Sequence, residues 1–425
     1  MKIIDDRLKE VVKYTYENVQ PYRNKMIERG ITPDDIRSVN DINLLPFMDK
    51  EDFRKNYPYG LLSVPRDKII RVHSTSGTTG VPSIIGFTKE DWERQCYLTS
   101  KIGRMAGINE NDIVQIVYGF GMFTGGIGWL EGLENIGSLV IPIGPGNTKK
   151  QIEYLKQLKT SVIIGTPSYI LHLIECIKKS TDIDINKDLN IQKILVGGEI
   201  LNENIRQIIK DSWQIDNVTQ NYGFCEGGGA GISGECVYQK GMHITEDYYP
   251  ELIDPNTGKN LENGQVGEIV FTNLRKRGLP LIRYRTHDIT SLYYEKCDCG
   301  IEGYKMSTIL GRTDSMLKIK GVCVFPSRIE EIILRDGICS PNYEIILDTK
   351  DYVDYVTINI EFNNSILNYT NEFIINYTNS LKRKIKEEIG INVNIEFVEV
   401  GTLRRFEGKS NRIKDFRLSR RLKWQ

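Results

Sequence analysis

The sequence predicts an α/β protein: a large N-terminal domain with mixed or parallel sheets flanked by helices, then a small α+β domain. Three observations predict this. The 425 residues, of ordinary apolar and charged content, fill more than one core, so two or more domains are expected. From about Asp112 short apolar runs alternate with amphipathic helical stretches. In the last hundred residues apolar side chains instead recur at every second position on either side of one helical pattern.

In chain order, the first hundred residues mix helix-like stretches with a segment punctuated by proline and glycine, Tyr57-Pro58-Tyr59-Gly60. Residues 113–118, 138–142, 161–165 and 193–197 are apolar runs of strand length, and 148–158 and 168–178 have helical character. That alternation predicts a largely parallel sheet covered on both faces. Further on, Val356, Ile358, Ile360 and Phe362 alternate with polar residues, as do Ile391, Val393, Ile395 and Phe397. Between them Phe373, Tyr377, Leu381 and Ile385 recur every four residues, and Gly390 follows as a stop. This strand–helix–strand unit makes a domain of its own. The expected division is 1–311 and 312–425, with the boundary near residues 311–314.

The 56 basic and 56 acidic residues cancel, which argues against nucleic acid or an anionic membrane as partner. No apolar stretch is long enough to span a bilayer, and the opening Met1-Lys2-Ile3-Ile4-Asp5-Asp6 turns charged too soon for a secretion signal. Eight scattered cysteines do not make a disulfide framework, so a cytoplasmic protein with mostly reduced thiols is expected.

The strongest local signal is Ser74-Thr75-Ser76-Gly77-Thr78-Thr79-Gly80. Hydroxyls and glycines together offer side-chain donors and unobstructed backbone N–H groups to phosphate oxygens. The stretch lacks a Gly-Lys-Ser/Thr ending and lies between two strand-like runs, 69–72 and 83–87, so it is not a Walker A loop. Composition alone leaves a surface turn as the other reading. A second constellation is Cys236, His243, Cys297 and Cys299, four soft or borderline ligands, the number a structural Zn²⁺ takes. The Cys297-Asp298-Cys299 spacing is tighter than the usual two-residue gap, and a turn with unligated thiols beside an unrelated histidine stays open. Cys96, Cys176, Cys225, Cys323 and Cys339 have no partner pattern and are expected to be small buried residues.

Further ordered motifs run from Tyr22-Arg23, Ile36-Arg37-Ser38 and Leu45-Pro46-Phe47 through residues 118–126 to Tyr222-Gly223-Phe224-Cys225-Glu226. They continue through residues 231–236 and 279–288, Gly311-Arg312-Thr313-Asp314 and residues 324–327 to Glu407-Gly408-Lys409. Over nearly the whole chain the sequence resembles the acyl- and aryl-CoA synthetase superfamily, and within it phenylacetate–CoA ligase and its relatives. The resemblance implies an adenylate-forming domain with a small mobile lid. ATP, Mg²⁺ and a small, aromatic carboxylic acid would give an acyl adenylate, which passes to coenzyme A.

The resemblance also assigns roles. Residues 74–80 would hold the phosphates, and Gly198, Glu199, Tyr222 and Gly223 would line the nucleotide. Glu226 would hold Mg²⁺ through hard carboxylate oxygen. Asp288 would accept the ribose hydroxyls, with Arg312 assisting. Lys409 would be catalytic, bridging the attacking carboxylate and the α-phosphate, and Asp314 would be the hinge between two lid orientations. Tyr118, Phe120, Phe123, Thr124 and Gly125 match the region that lines the acid, and the small residues 227–231 would leave volume for a ring. On residue types alone, Asp288 and Arg312 are equally an interdomain ion pair. Lys409 is equally part of a solvated basic tail over 401–425, one that would also suit coenzyme A phosphates, and the aromatics are equally core.

Three positions depart from the pattern. Val81 stands where most relatives carry a phosphate-loop lysine, Cys225 where a Ser or Thr hydroxyl is usual, and Ser315 in place of a second aspartate after the hinge. Loss of the lysine predicts weaker phosphate binding or slower adenylation. Two rival functions remain: adenylation with transfer to a carrier-protein thiol, an amine or a cofactor hydroxyl, and a nucleotide-binding regulator without catalysis. A homodimer is expected from the resemblance.

Overall fold

A computed structural model of the chain describes residues 2–75, 81–179, 183–314, 316–319, 322–350, 353–363, 368–406 and 412–417. Helices α1 (Lys2–Asn18) and α2 (Gln20–Glu28) bury Leu8, Val11, Val12, Tyr22 and Met26 in a core shared with Met48, Phe53 and Leu281. The three- and four-residue spacing puts these side chains on one helical face. Helix α3 (Lys50–Lys55) starts at Asp49, whose carboxylate accepts the backbone N–H groups of Glu51 and Asp52. Strands β1 (Arg71–Ser74) and β2 (Ile84–Phe87) form an antiparallel hairpin with Ser74 opposite Ile84. The hydroxyl- and glycine-rich stretch is therefore the loop of that hairpin.

Next come α4 (Lys89–Met105), β3 (Ile113–Ile116), α5 (Thr124–Glu134), β4 (Leu139–Ile141), α6 (Thr148–Gln157) and β5 (Val162–Gly165). Helices α7 (Pro167–Lys179) and α8 (Ile185–Asp188), β6 (Lys193–Gly197), α9 (Glu203–Trp213) and β7 (Asn217–Phe224) complete the series. The strands are parallel in the order β4-β3-β5-β6-β7. Val162, Ile163, Ile164, Ile194, Leu195 and Val196 are all buried, as strands covered on both faces require.

The expectation of a largely parallel sheet describes only this half. Strands β8 (Gly229–Glu235), β9 (Met242–Ile244), β10 (Tyr248–Ile253), β11 (Val266–Asn273), β12 (Tyr284–Lys296) and β13 (Glu302–Met306) extend the same sheet antiparallel, in the order β7-β8-β9-β13-β12-β11-β10. Strand β14 (Gly311–Arg312) pairs with β12 and completes twelve strands. A parallel pair needs a long crossover, whereas short turns allow only antiparallel neighbours. Among the described residues no helix interrupts the chain between β7 and β14, so this half reverses at each turn.

Beyond β14 a hairpin of β15 (Leu317–Ile319) and β16 (Val322–Val324) leads into α10 (Pro326–Leu334). Strands β17 (Cys339–Lys350) and β18 (Val353–Phe362), helix α11 (Asn371–Ile389), β19 (Asn394–Val398) and β20 (Ile413–Asp415) follow. Their sheet runs β19-β18-β17-β20, with β18 and β19 parallel across α11. The helix stops at Gly390, whose φ of 84° is open to glycine at no steric cost. One apolar cluster links Tyr169, Ile174, Ile205 and Ile209 of α7 and α9 to Ile329, Ile333, Ile345 and Ile358 of the second unit. Polar contacts cross the same boundary. Arg405 Nε donates to Glu175 at 2.8 Å and Asn202 Nδ2 to Glu330 at 2.9 Å. Among the described residues no helix is long and apolar enough to cross a membrane.

Candidate active site

Asp288 on β12 lies in register opposite Arg312 on β14, and Arg312 Nη1 donates to its Oδ1 at 2.8 Å. Tyr222, on β7, donates its hydroxyl to Oδ2 at 2.6 Å. Both Tyr222 and Asp288 are buried. Burial, then the Asp288 carboxylate, holds the Tyr222 hydroxyl well above the usual phenol range, so it remains a donor. Arg312 also reaches Asp314 through two bonds of 2.8 Å. Burial opposes the charge of that guanidinium, but the carboxylates of Asp314 and Asp288 outweigh it. For Asp314 burial works upward, and Arg312 overcomes it to leave the carboxyl below its ordinary value.

Glu226 is buried just past β7 and accepts the Ser83 hydroxyl at 2.9 Å. The Tyr284 hydroxyl meets the same carboxylate, and burial and then Glu226 raise it well above the phenol range. Ser83 closes the hairpin loop: its N–H donates to Thr75 Oγ1 at 3.0 Å, and Thr75 N–H donates to its carbonyl at 3.2 Å. Cys225 Sγ lies 3.8 Å from the Ser74 carbonyl. Ser74, Thr75 and Glu226 thus come together. Ser76, Gly77, Thr78, Thr79, Gly80 and Lys409 lie outside the described residues.

Glu199 follows β6 and accepts the Ser168 N–H and hydroxyl, each at 3.0 Å. Gly198 has a φ of 77°, a conformation that glycine adopts freely. Gly223 is enforced by packing, because a Cβ there would collide with the Gly229 carbonyl across the β7–β8 pair. Tyr118 is buried in a core cluster with Phe120 packed on it, while Phe123 is 45% exposed. Thr124, buried at the start of α5, donates to Cys225 Sγ at 3.6 Å.

The run 227–231 does not open the volume expected of it. A Cβ on Gly227 would stand 2.6 Å from Ile232, on Gly228 2.8 Å from Gln95, on Gly229 2.8 Å from Thr124 and on Gly231 2.5 Å from Gln95. These glycines let α4 and α5 press against β8; their space is filled by neighbouring side chains. Gly125 is likewise covered, by the Phe123 ring at 2.6 Å. Cys176 also departs from expectation, being half-buried beside His172, whereas Cys96, Cys225 and Cys339 are buried. Nothing is described of the Cys323 side chain.

Just past β8, on β9 and in the turn between β12 and β13, the ligand atoms of Cys236, His243, Cys297 and Cys299 all lie within 4.8 Å of one another. The Cys236 and Cys297 sulfurs are 3.8 Å apart, and Cys299 Sγ is 3.4 Å from His243 Nε2. A tetrahedral Zn²⁺ with Zn–S bonds of ~2.3 Å sets ligand atoms about 3.7 Å apart, so the donor set fits. Burial pushes the Cys236 thiol up to about 12. Burial also acts upward on Cys297, but hydrogen bonds from Cys299 and Cys236 bring it below its ordinary value. Burial and then Lys305 push His243 down to about 4, so its ring is neutral and has a lone pair to give.

Residues 28–274 match the family description "AMP-binding enzyme", and residues 321–417 match "AMP-binding enzyme C-terminal domain". The phenylacetate-coenzyme A ligase of Pseudomonas putida is 38% identical over 416 residues, 97% of this chain and 93% of that protein. The chain belongs to the AMP-binding enzyme family. Its member from Thermus thermophilus, also a phenylacetate-coenzyme A ligase, is 35% identical over 97% of this chain and 96% of its own.

Among solved structures, a 2-hydroxyisobutyryl-CoA ligase in the postadenylation state with 2-HIB-AMP superimposes with a TM-score of 0.91, covering 100% of this chain and 92% of that one at 24% identity. The same ligase in the thioesterification state, at the same identity and coverage, gives 0.70. The fold is shared.

Sequence reasoning missed Ser83, Ser168 and Tyr284 as partners of the family's candidate residues. Ser83 is adjacent to the hydroxyl-rich loop and Tyr284 lies inside the 279–288 motif, so position in the chain was a signal. Ser168 has none, because only the fold brings it to Glu199.

Proposed function

We propose that the chain is an AMP-forming acid–CoA ligase acting on an aryl or arylacetic acid. The observation that carries this is 35–38% identity, over 97% of the chain, to phenylacetate-coenzyme A ligases. A carboxylate oxygen attacks the α-phosphorus of ATP, the bond to pyrophosphate breaks, and an acyl adenylate forms. The deprotonated thiol of coenzyme A then attacks the acyl carbon, and AMP leaves.

In this reading Asp288, held in place by Tyr222 and Arg312, takes the ribose hydroxyls through its carboxylate oxygens. Glu199, Gly198, Gly223 and Tyr222 face the base, and residues 74–80 face the phosphates. Lys409 stabilises the charge that builds up between carboxylate and phosphate, and Asp314 is the point about which the small domain turns between half-reactions. The division into 1–311 and 312–425 belongs to the same proposal. Glu226, a buried carboxylate beside the loop, offers hard oxygen to Mg²⁺, which would neutralise phosphate charge. Cys236, His243, Cys297 and Cys299 would hold a structural Zn²⁺ that ties β8, β9 and the turn before β13 together. A reducing, cytoplasmic setting agrees with there being no disulfide among the described cysteines. Self-association into a homodimer rests on resemblance alone, and sedimentation velocity tests it.

The deciding experiment is pyrophosphate release from ATP and Mg²⁺ over a panel of aromatic and short-chain acids, with and without coenzyme A, with product analysis. Acid-dependent release with an acyl-CoA product is expected. Release that ignores coenzyme A would replace that acceptor with a carrier-protein thiol, an amine or a hydroxyl.

A further inference from the structure

Asn221 on β7 is 8% exposed, and its Oδ1 has no hydrogen-bond partner among the described residues. Its Nδ2 donates to the Ala230 carbonyl of β8 at 3.3 Å. A carbonyl only accepts, so the amide faces it with its nitrogen and its oxygen is turned the other way. Asn221 lies in register beside Gly197 at the end of β6. A Cβ on Gly197 would collide with Asn221 Oδ1 and stand 3.0 Å from the Tyr118 hydroxyl. The two polar atoms therefore border one spot, which Gly197 leaves open by having no side chain.

A buried acceptor without a donor is unfavourable for folding, and a leucine would fill similar volume without that cost. The Tyr118 hydroxyl is the complementary group. Burial and then the Glu199 carboxylate raise it well above the usual phenol range, against a hydrogen bond from the Gly197 backbone, so it stays protonated and can donate. One acceptor and one donor around a single spot match a hydroxyl, which gives a proton to one neighbour and takes one from the other. A hydrogen or a methyl there would leave Oδ1 unpaired. A second carboxylate would have no proton for Oδ1 and would meet the like charge of Glu199. Tyr118 shares its core cluster with Ala230, and Phe120 packs against it.

We propose that Asn221 and Tyr118 recognise a hydroxyl on the acid, so that the preferred substrate is a ring-hydroxylated aryl or arylacetic acid. This rests on the reading of the chain as an acid–CoA ligase with Tyr118 in the acid lining, and names the substrate class within it. Sites built to bond a substrate hydroxyl discriminate strongly against the analogue that lacks it, because their own polar groups are then left unpaired.

The test compares kcat/KM for phenylacetic and benzoic acids with that for their ortho, meta and para hydroxy derivatives. It is run in the parent, Asn221→Leu and Tyr118→Phe. The ratio of hydroxylated to unsubstituted acid within one preparation does not depend on how much of it is folded. For the best-placed isomer the parent is expected to favour the hydroxylated acid by about 100-fold. N221L and Y118F should each cut that ratio about tenfold, N221L partly by improving the unsubstituted acid. If N221L does not fold, the parent ratio and Y118F decide. Acid-dependent turnover with no hydroxyl preference, or a preference that survives the variants, would overturn this inference and leave the ligase standing. If pyrophosphate release never depends on acid, the ligase reading fails. Calorimetry of the same acids then makes the comparison, and equal or absent binding of the hydroxylated forms overturns the inference too.

Discussion

The Tyr222 hydroxyl and the Asp288 carboxylate, 66 residues apart in the chain, meet in a hydrogen bond of 2.6 Å, and Arg312 takes the other carboxylate oxygen at 2.8 Å. Two buried residues and one half-buried residue are thus held by one another before any nucleotide arrives, and such preorganisation reduces the entropy lost on binding.

Replacing Asp288 by Ala strips the buried Tyr222 hydroxyl of this acceptor and leaves Arg312 with Asp314. We expect a loss of about 3 kcal/mol in stability and of most ATP affinity. Asp288→Asn keeps an oxygen for Tyr222 but loses the charge opposite Arg312, so an intermediate result is expected. Thermal denaturation and calorimetry measure both.

Lys409→Ala should leave folding and ATP binding near the parent values while acid-dependent pyrophosphate release falls by about 10²–10³. Loss of ATP binding in step with turnover would reassign Lys409 to nucleotide affinity.

For the cysteine–histidine cluster, the expected metal content of purified protein is about one Zn²⁺ per chain by mass spectrometry. Cys297→Ser or His243→Ala should lose that metal and lower the melting temperature, and a chelator should do the same to the parent. Metal-free protein with an unchanged melting curve would leave the four residues as ordinary packing.

Polar contacts tie the second unit to α7. Glu175 on α7 accepts Arg405 at 2.8 Å and Asn342 at 2.5 Å, and Arg405 holds Glu361 at 2.7 Å. Glu175→Gln should loosen the small domain without unfolding it, because the apolar cluster beneath stays intact. Small-angle scattering would then show a larger radius of gyration, while the melting temperature falls by only a few degrees. An unchanged profile would mean that apolar packing alone sets the arrangement.

The candidate residues were legible in the chain because their motifs are local. The loop at 74–80, the Tyr222–Glu226 motif and the Cys236/His243/Cys297/Cys299 set each need only residue type and spacing. Strands 193–197 and 353–362 could be read from apolar pattern, as could helix 371–389 with its glycine stop. Periodicity marks elements but carries no information on strand direction, so the antiparallel half of the sheet was not visible.

By itself, then, the sequence determined the elements, the family and the candidate residues, since pattern and motif are properties of neighbours along the chain. Only the tertiary structure decided what the glycines at 227–231 do, because their free space depends on how closely α4 and α5 approach β8. It alone brought Ser168 to Glu199 and Ser83 to Glu226, contacts that span 31 and 143 residues. It alone enclosed Lys276, in the connection between β11 and β12, against the Phe87 ring, for burial is set by elements remote in sequence.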